Sequence, residues 1–195
     1  MRKDKVLPYL ALGLCVAQVL VVLASWLLTA AMPDDFLRSL TSPEGIRWFF
    51  GSFADNLASP WLVWLVLVSV AVGTLRESGL LQYDRSEYRQ RTALRLVLVE
   101  LVLAVALMLA LTLVPHAILL NVLGGLLPSS FSRGIIPYIC LSVVMMSLSY
   151  GVMSERLKGI RAIYRAMNEG IRLMAPAFLF YVLLMQLYCS IKYLM

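Results

Sequence analysis

One acidic residue, Glu100, lies inside a long apolar run and is the first candidate for chemistry in this sequence. The run, about residues 92–114, is long enough to cross a membrane as a helix. A carboxylate inside such a span is energetically costly and marks a functional site by default. Glu100 follows Arg95 by five residues, which places it about 7 Å deeper along a helix. Two interpretations stay open: substrate or ion coupling, and a carboxylate near the inner interface that is protonated or paired with a basic residue.

Asp55 and Asn56 form a second polar pair, just before an apolar run that begins at about residue 59. Carboxylate and amide oxygens accept hydrogen bonds from the free N–H groups at the start of a helix. We therefore expect this pair to cap the following helix. The alternative is contact with a substrate or a coupling ion, so both residues remain site candidates.

Basic and apolar residues alternate between about residues 155 and 172. The apolar residues share one helical face: Leu157, Ile160, Tyr164, Met167 and Ile171. The basic residues share another face: Lys158, Arg161, Arg165 and Arg172. This pattern is typical of an interfacial helix on anionic lipid, so we expect the lipids of the inner leaflet to be a partner. A calmodulin-type target helix has the same pattern.

The sequence contains no pattern typical of an enzyme. There is no paired histidine, no nucleophile with a base at usable spacing, and no Gly-rich phosphate loop after a strand. The three cysteines, Cys15, Cys140 and Cys189, lie in apolar segments without the spacing of a metal site. We therefore predict a protein that is not an enzyme and that holds no metal and no other cofactor.

The composition indicates that a lipid bilayer surrounds much of the chain. Hydrophobic residues make up 61% of the sequence and charged residues 14%, and the mean hydropathy is +0.84. One soluble core could not bury so much apolar surface, whereas a bilayer is itself an apolar solvent. The apolar runs are about twenty residues long and do not alternate, so helices are favoured over a membrane barrel. The predicted fold is all-α: a polytopic membrane protein with about five transmembrane helices and two amphipathic interfacial helices.

We predict one transmembrane domain over residues 1–195. Its spans are expected at about 6–31, 59–75, 92–114, 134–153 and 173–193. A charged cytoplasmic loop is expected at 76–91, and the two amphipathic segments at 33–56 and 155–172. A cleaved signal is the competing interpretation of the first run, but that run is about twice the length of a signal core.

The basic residues indicate how the chain is oriented. With five spans and a cytoplasmic N-terminus, most of the 17 Lys and Arg residues fall inside; outside are Arg38, Arg47, Arg133 and Lys192. This agrees with the positive-inside rule at every loop. We therefore predict a multi-pass protein of the bacterial inner membrane with its C-terminus outside. The basic residues that give the formal charge of +6 cluster at membrane boundaries, so no nucleic-acid partner is expected.

Three stretches resemble a known family. The first is Ser42–Trp48 (SPEGIRW), followed by Asn56, Gly73 and Glu77–Leu80 (ESGL). The second comprises Arg91–Leu96, Pro115, Leu126 and Ser130–Pro137 (SFSRGIIP). The third comprises Tyr150, Gly151 and Met167–Met174. In order and spacing they are similar to the p-aminobenzoyl-glutamate transporter (AbgT) family, although Arg76 stands where the family has a small apolar residue.

The resemblance implies a shortened member of that family. Between Leu80 and Arg91 the family inserts a hairpin and further spans, and it continues beyond a fifth span. Those pieces hold the broken helices that secondary transporters use for substrate and ions, so none of the family's hairpin residues can be carried over. We expect a reduced AbgT-like secondary transport protein for small organic anions such as p-aminobenzoyl-glutamate, acting as an oligomer or with a membrane-protein partner. The alternative is a non-transporting scaffold or accessory subunit.

Overall fold

A computed structural model describes residues 3–32, 38–83, 87–113 and 130–194. Over these residues the chain forms eight α-helices and one 3-10 turn, Leu80–Gln82, and no strand. The helices are α1 (Lys3–Ala31), α2 (Pro43–Gly51), α3 (Phe53–Leu57), α4 (Pro60–Ser78), α5 (Tyr88–Leu113), α6 (Ser130–Met153), α7 (Ile160–Leu173) and α8 (Ala175–Leu194). The predicted all-α fold is confirmed.

Five helices in the described part of the chain are long and apolar enough to cross a membrane. They are Val6–Ala31, Pro60–Gln82, Tyr88–Thr112, Gly134–Met153 and Ala175–Leu194. Part of the expected 76–91 loop is helical, because α4 continues to Ser78 and α5 begins at Tyr88. Arg, Glu and Gln are good helix formers, so a helix can continue where its apolar run has ended.

The first amphipathic segment contains two short helices, α2 and α3, which meet at Ser52. Ser42 caps α2: its hydroxyl oxygen accepts a hydrogen bond from the N–H of Gly45 at 3.1 Å, and Pro43 occupies the first turn. Phe50 and Phe53 keep exposed side chains. Over Pro43–Leu57 the predicted amphipathic segment is therefore helical and exposes apolar side chains, although it is divided between two helices.

The helices form two compact units, Met1–Val63 with Ala175–Met195, and Trp64–Met174. In the first unit α1 and α3 both pack against α8. Gln18 of α1 donates a hydrogen bond to the hydroxyl of Ser190 of α8 at 2.8 Å. The ring of Trp48 stacks on that of Tyr193, with centroids 4.3 Å apart.

The second unit has two helix contacts that position its site. Helices α5 and α6 pack together around a small core of Ala93, Val97 and Tyr150. Helices α4 and α7 meet through glycines: a Cβ atom on Gly73 would collide with the backbone of Gly170. Small residues permit this close approach, which is a common way for helices to pack in membranes.

Candidate functional site

Glu100 lies on α5 with its side chain half-buried. Its Oε2 atom is buried and accepts no hydrogen bond from any residue that the structure describes. The carboxylate lines an open groove of about 320 Å³ between α5 and α6. A buried polar atom is expected to have a hydrogen-bond partner. The Oε2 atom of Glu100 departs from this expectation within the described residues.

The walls of this groove are mostly apolar. They are formed by Leu103, Ala104, Leu107, Tyr138, Leu141, Ser142, Met145 and Met146. The Tyr138 hydroxyl crosses from α6 to α5 and donates a hydrogen bond to the carbonyl oxygen of Ala104 at 2.6 Å. Tyr138 and Ala104 also line a second groove of about 320 Å³ between the same two helices. Among the described residues that line the groove, Glu100 is the one acidic group, and the other polar groups are the hydroxyls of Tyr138 and Ser142.

One interpretation of Glu100 was a carboxylate that is protonated or paired with a basic residue, and no salt bridge joins it to a basic residue that the structure describes. The salt bridges found in this unit join Arg89 to Glu155, Lys158 to Glu155, and Arg172 to Glu169. Arg95 is exposed and lies five residues away, which is about 140° around the helix. Glu100 is thus a carboxylate on a helix of membrane-spanning character with no salt bridge to a basic residue that the structure describes.

Asp55 and Asn56 do not cap the second span, so that prediction is wrong. Both lie inside α3, and α4 begins only at Pro60. The intervening Ala58 and Ser59 separate the pair from the free N–H groups that a cap would bind. Asp55 is exposed, whereas the side-chain nitrogen of Asn56 is buried without a partner among the described residues.

The first unit contains buried polar atoms of two glutamines that were not among the predicted site residues. Gln186 of α8 is buried, and neither of its side-chain polar atoms has a partner among the described residues. The side-chain oxygen of Gln18 is also unpartnered there, although its nitrogen binds Ser190. Nearby, the Cys189 thiol lies 4.0 Å from the carbonyl oxygen of Asn56. In the sequence, the signal for these polar atoms was the presence of Gln18 and Gln186 within apolar runs.

The basic segment differs from its prediction at its start. Helix α7 begins at Ile160, so Leu157 and Lys158 precede it. Leu157 is buried and packs against Gly151 instead of continuing the exposed apolar stripe. The helix starts after Gly159, whose φ of +79° is one that L side chains rarely adopt.

The other three basic residues of that segment do lie on α7, and all are exposed: Arg161, Arg165 and Arg172. These residues share the second unit with Glu100, whereas Asp55 and Asn56 belong to the first. The candidates therefore form two separate groups. Within the described residues, no three His, Cys, Asp or Glu side chains form a group that could hold a metal ion.

Comparison with known proteins adds one finding. The sequence model of the AbgT transporter family matches residues 83–193, which contain Glu100 and the whole of α7. The stretch around Ser42–Trp48, with Asp55 and Asn56, lies outside the match. No curated protein and no solved structure matches the chain. Because the family match covers more than half of the 195 residues, this chain belongs to the AbgT family of membrane transporters.

Proposed function

We propose that this protein transports small organic anions, such as p-aminobenzoyl-glutamate, across the bacterial inner membrane by a secondary mechanism. Family membership and five helices of membrane-spanning character support a transporter. The observation that carries the proposal is Glu100, a carboxylate on a membrane helix inside the matched region, whose buried Oε2 atom has no partner among the described residues. Such residues mark ion and substrate pathways in transporters.

In this proposal Glu100 binds the coupling ion. Asp55 and Asn56 are candidates for a separate contact with the substrate or the ion within the first unit, where the amide nitrogen of Asn56 is buried and has no partner among the described residues. An amide nitrogen donates hydrogen bonds and therefore suits a carboxylate of the substrate. The distribution of Lys and Arg supports a cytoplasmic N-terminus and an outer C-terminus. The active form is an oligomer or a complex with another membrane protein.

A specific observation favours a second candidate, a non-transporting scaffold or accessory subunit. The groove at Glu100 offers an organic anion a carboxylate of the same charge and apolar walls. Like charges in a low-dielectric site repel strongly. In this alternative the framework supports another protein that carries the anion.

Transport is tested with purified protein in liposomes, by measuring uptake of labelled p-aminobenzoyl-glutamate under an ion gradient. We expect flux for the wild type and none for Glu100→Gln, which keeps the size of the side chain but removes the charge. Glu44→Gln, at an exposed acid of α2, is the matched control and should retain flux. Thermal stability of each variant separates loss of coupling from loss of folding.

Absence of flux from correctly folded wild-type protein would refute the transport proposal. The accessory-subunit alternative then requires a stable stoichiometric partner in mild detergent. Purification that returned this chain alone would count against that alternative.

A further inference from the structure

Helix α7 has three distinct faces, each about 120° wide at the normal helical pitch. The first carries small residues and is buried: Ala166 and Gly170, with Ala162 half-buried beside them. The second carries large apolar side chains that are exposed: Ile160 (85%), Tyr164 (70%), Met167 (37%) and Ile171 (40%). The third carries Arg161, Arg165 and Arg172, with Asn168, and is exposed as well. We call the second face the apolar stripe and the third the basic stripe.

The small face fixes the rotation of α7 about its own axis. A Cβ atom on Gly170 would collide with the carbonyl of Ser69, and one on Gly73 with the backbone of Gly170 and the carbonyl of Ala166. Helix α4, which contains Ser69 and Gly73, is one of the five helices of membrane-spanning character. With one face held against α4, the directions of the apolar and basic stripes are set.

The apolar stripe lacks cover from the residues that the structure describes. Ile160 and Tyr164, one turn apart, keep most of their surface exposed. A stripe of this kind beside arginines is a surface that binds the boundary between headgroups and acyl chains. The chain continues directly from Met174 into the apolar helix α8, so the C-terminal end of α7 is tied to a second helix of membrane-spanning character.

The four basic residues of the segment are not equivalent. Lys158 lies 3.9 Å from Glu155, and Arg172 lies 3.6 Å from Glu169. Arg161 and Arg165 form no salt bridge with any acidic side chain that the structure describes. They are four residues apart, so they project from neighbouring turns of one face and can reach anionic groups in the same plane.

We propose that α7 docks on the surface of the lipid bilayer, with the apolar stripe in the acyl boundary and Arg161 and Arg165 on the phosphates of anionic headgroups. Charge complementarity selects anionic lipid, and the contact with α4 fixes the directions in which the two stripes face. Lys158 and Arg172 contribute less, because each already has a carboxylate partner. This proposal goes beyond transport and holds whether or not the protein carries a substrate.

The lipid arm of the test measures the thermal unfolding of detergent-purified protein with added phosphatidylglycerol or phosphatidylcholine. A ligand that binds the folded state raises the unfolding temperature. We expect phosphatidylglycerol to raise it more than phosphatidylcholine for the wild type. That difference should vanish in Arg161→Gln/Arg165→Gln and persist in Lys158→Gln/Arg172→Gln, a matched control that removes the same charge.

Three results would overturn the proposal. The first is a wild-type protein that responds equally to both lipids. The second is an equal loss in the two double variants, which would show a dependence on total charge instead of on this face. The third is a full response to glycerol phosphate without acyl chains, which would indicate a site for a soluble anion.

A second measurement addresses the apolar stripe in native membranes. Ile160→Cys and Asn168→Cys are each treated with membrane-permeant N-ethylmaleimide, against a wild-type background that accounts for the three native cysteines. The thiolate is the reactive form, and hydrocarbon suppresses it, so we expect the cysteine at position 160 to react about tenfold more slowly. Equal rates would place the apolar stripe in water, available to a protein partner, and would refute lipid docking.

Discussion

In the helix pair α5–α6, the end that contains Tyr150 differs from the end that contains Tyr138. Tyr150 is fully buried against Ala93 and Val97, and its hydroxyl donates a hydrogen bond to the side-chain oxygen of Gln90 at 3.2 Å. Tyr138 lines two open grooves, and its hydroxyl donates a hydrogen bond to the backbone carbonyl of Ala104. One pair of helices thus has a closed end and an open end.

Side-chain size explains the difference. At the closed end the small Ala93 packs against the Tyr150 ring, and both residues are fully buried. At the open end the large side chains of Leu103 and Met145 are exposed and line the groove. Glu100 lies three residues beyond Val97, where the closed part gives way to the open part. The buried contacts of the closed end therefore provide a fixed anchor for α5 next to Glu100, whose carboxylate lines an open groove.

The largest expected effect on the free energy of unfolding comes from disrupting the packing around Tyr150 at the closed end. Tyr150→Ala removes a fully buried ring and should lower the free energy of unfolding by about 3–5 kcal/mol. Tyr150→Phe is the control, since it keeps the ring and loses only the hydroxyl, for about 1 kcal/mol. Unfolding by dodecyl sulfate titration, followed by circular dichroism, measures both. A loss below 1 kcal/mol for Tyr150→Ala would contradict a fixed anchor at this end.

A smaller effect of opposite sign is expected at Glu100. If its carboxylate is unpaired, Glu100→Leu removes a costly polar group from an apolar groove and should raise the free energy of unfolding by about 1–3 kcal/mol. The same titration measures the change, with Glu100→Gln as an isosteric comparison. If both variants were less stable than the wild type, the carboxylate would be paired and its role structural.

The contrast between the two ends also shows what the sequence could predict. Apolar runs of about twenty residues predicted the five helices of membrane-spanning character in the described part of the chain, because length and hydropathy are the features that a bilayer requires. The exposed stripes of α7 followed from helical periodicity in the same way. The small face of α7 could not be predicted in this way, because Ala166 and Gly170 carry almost no hydropathy signal. Their role appears only in the contact with α4.

The candidate site was less predictable than the fold. Glu100 could be recognised as unusual, but whether it has a partner depends on which side chains of α6 face it. The capping prediction for Asp55 and Asn56 failed because the chain forms a separate short helix, α3, before Pro60. Spacing along the chain does not reveal such a break when Ala58 and Ser59 fit either conformation.

The smallest effect should come from the open end itself. Tyr138→Phe loses the hydrogen bond to Ala104, whose carbonyl is also the acceptor for the N–H four residues on in the helix. The Ala104 carbonyl therefore keeps a hydrogen bond in the variant, so the free energy of unfolding should fall by no more than about 1 kcal/mol. Amide hydrogen exchange in residues 101–109 should nevertheless increase, because this hydroxyl links the two helices across the grooves. A loss well above 1 kcal/mol, or faster exchange near Tyr150 instead, would show that the open end is not the looser part of the pair.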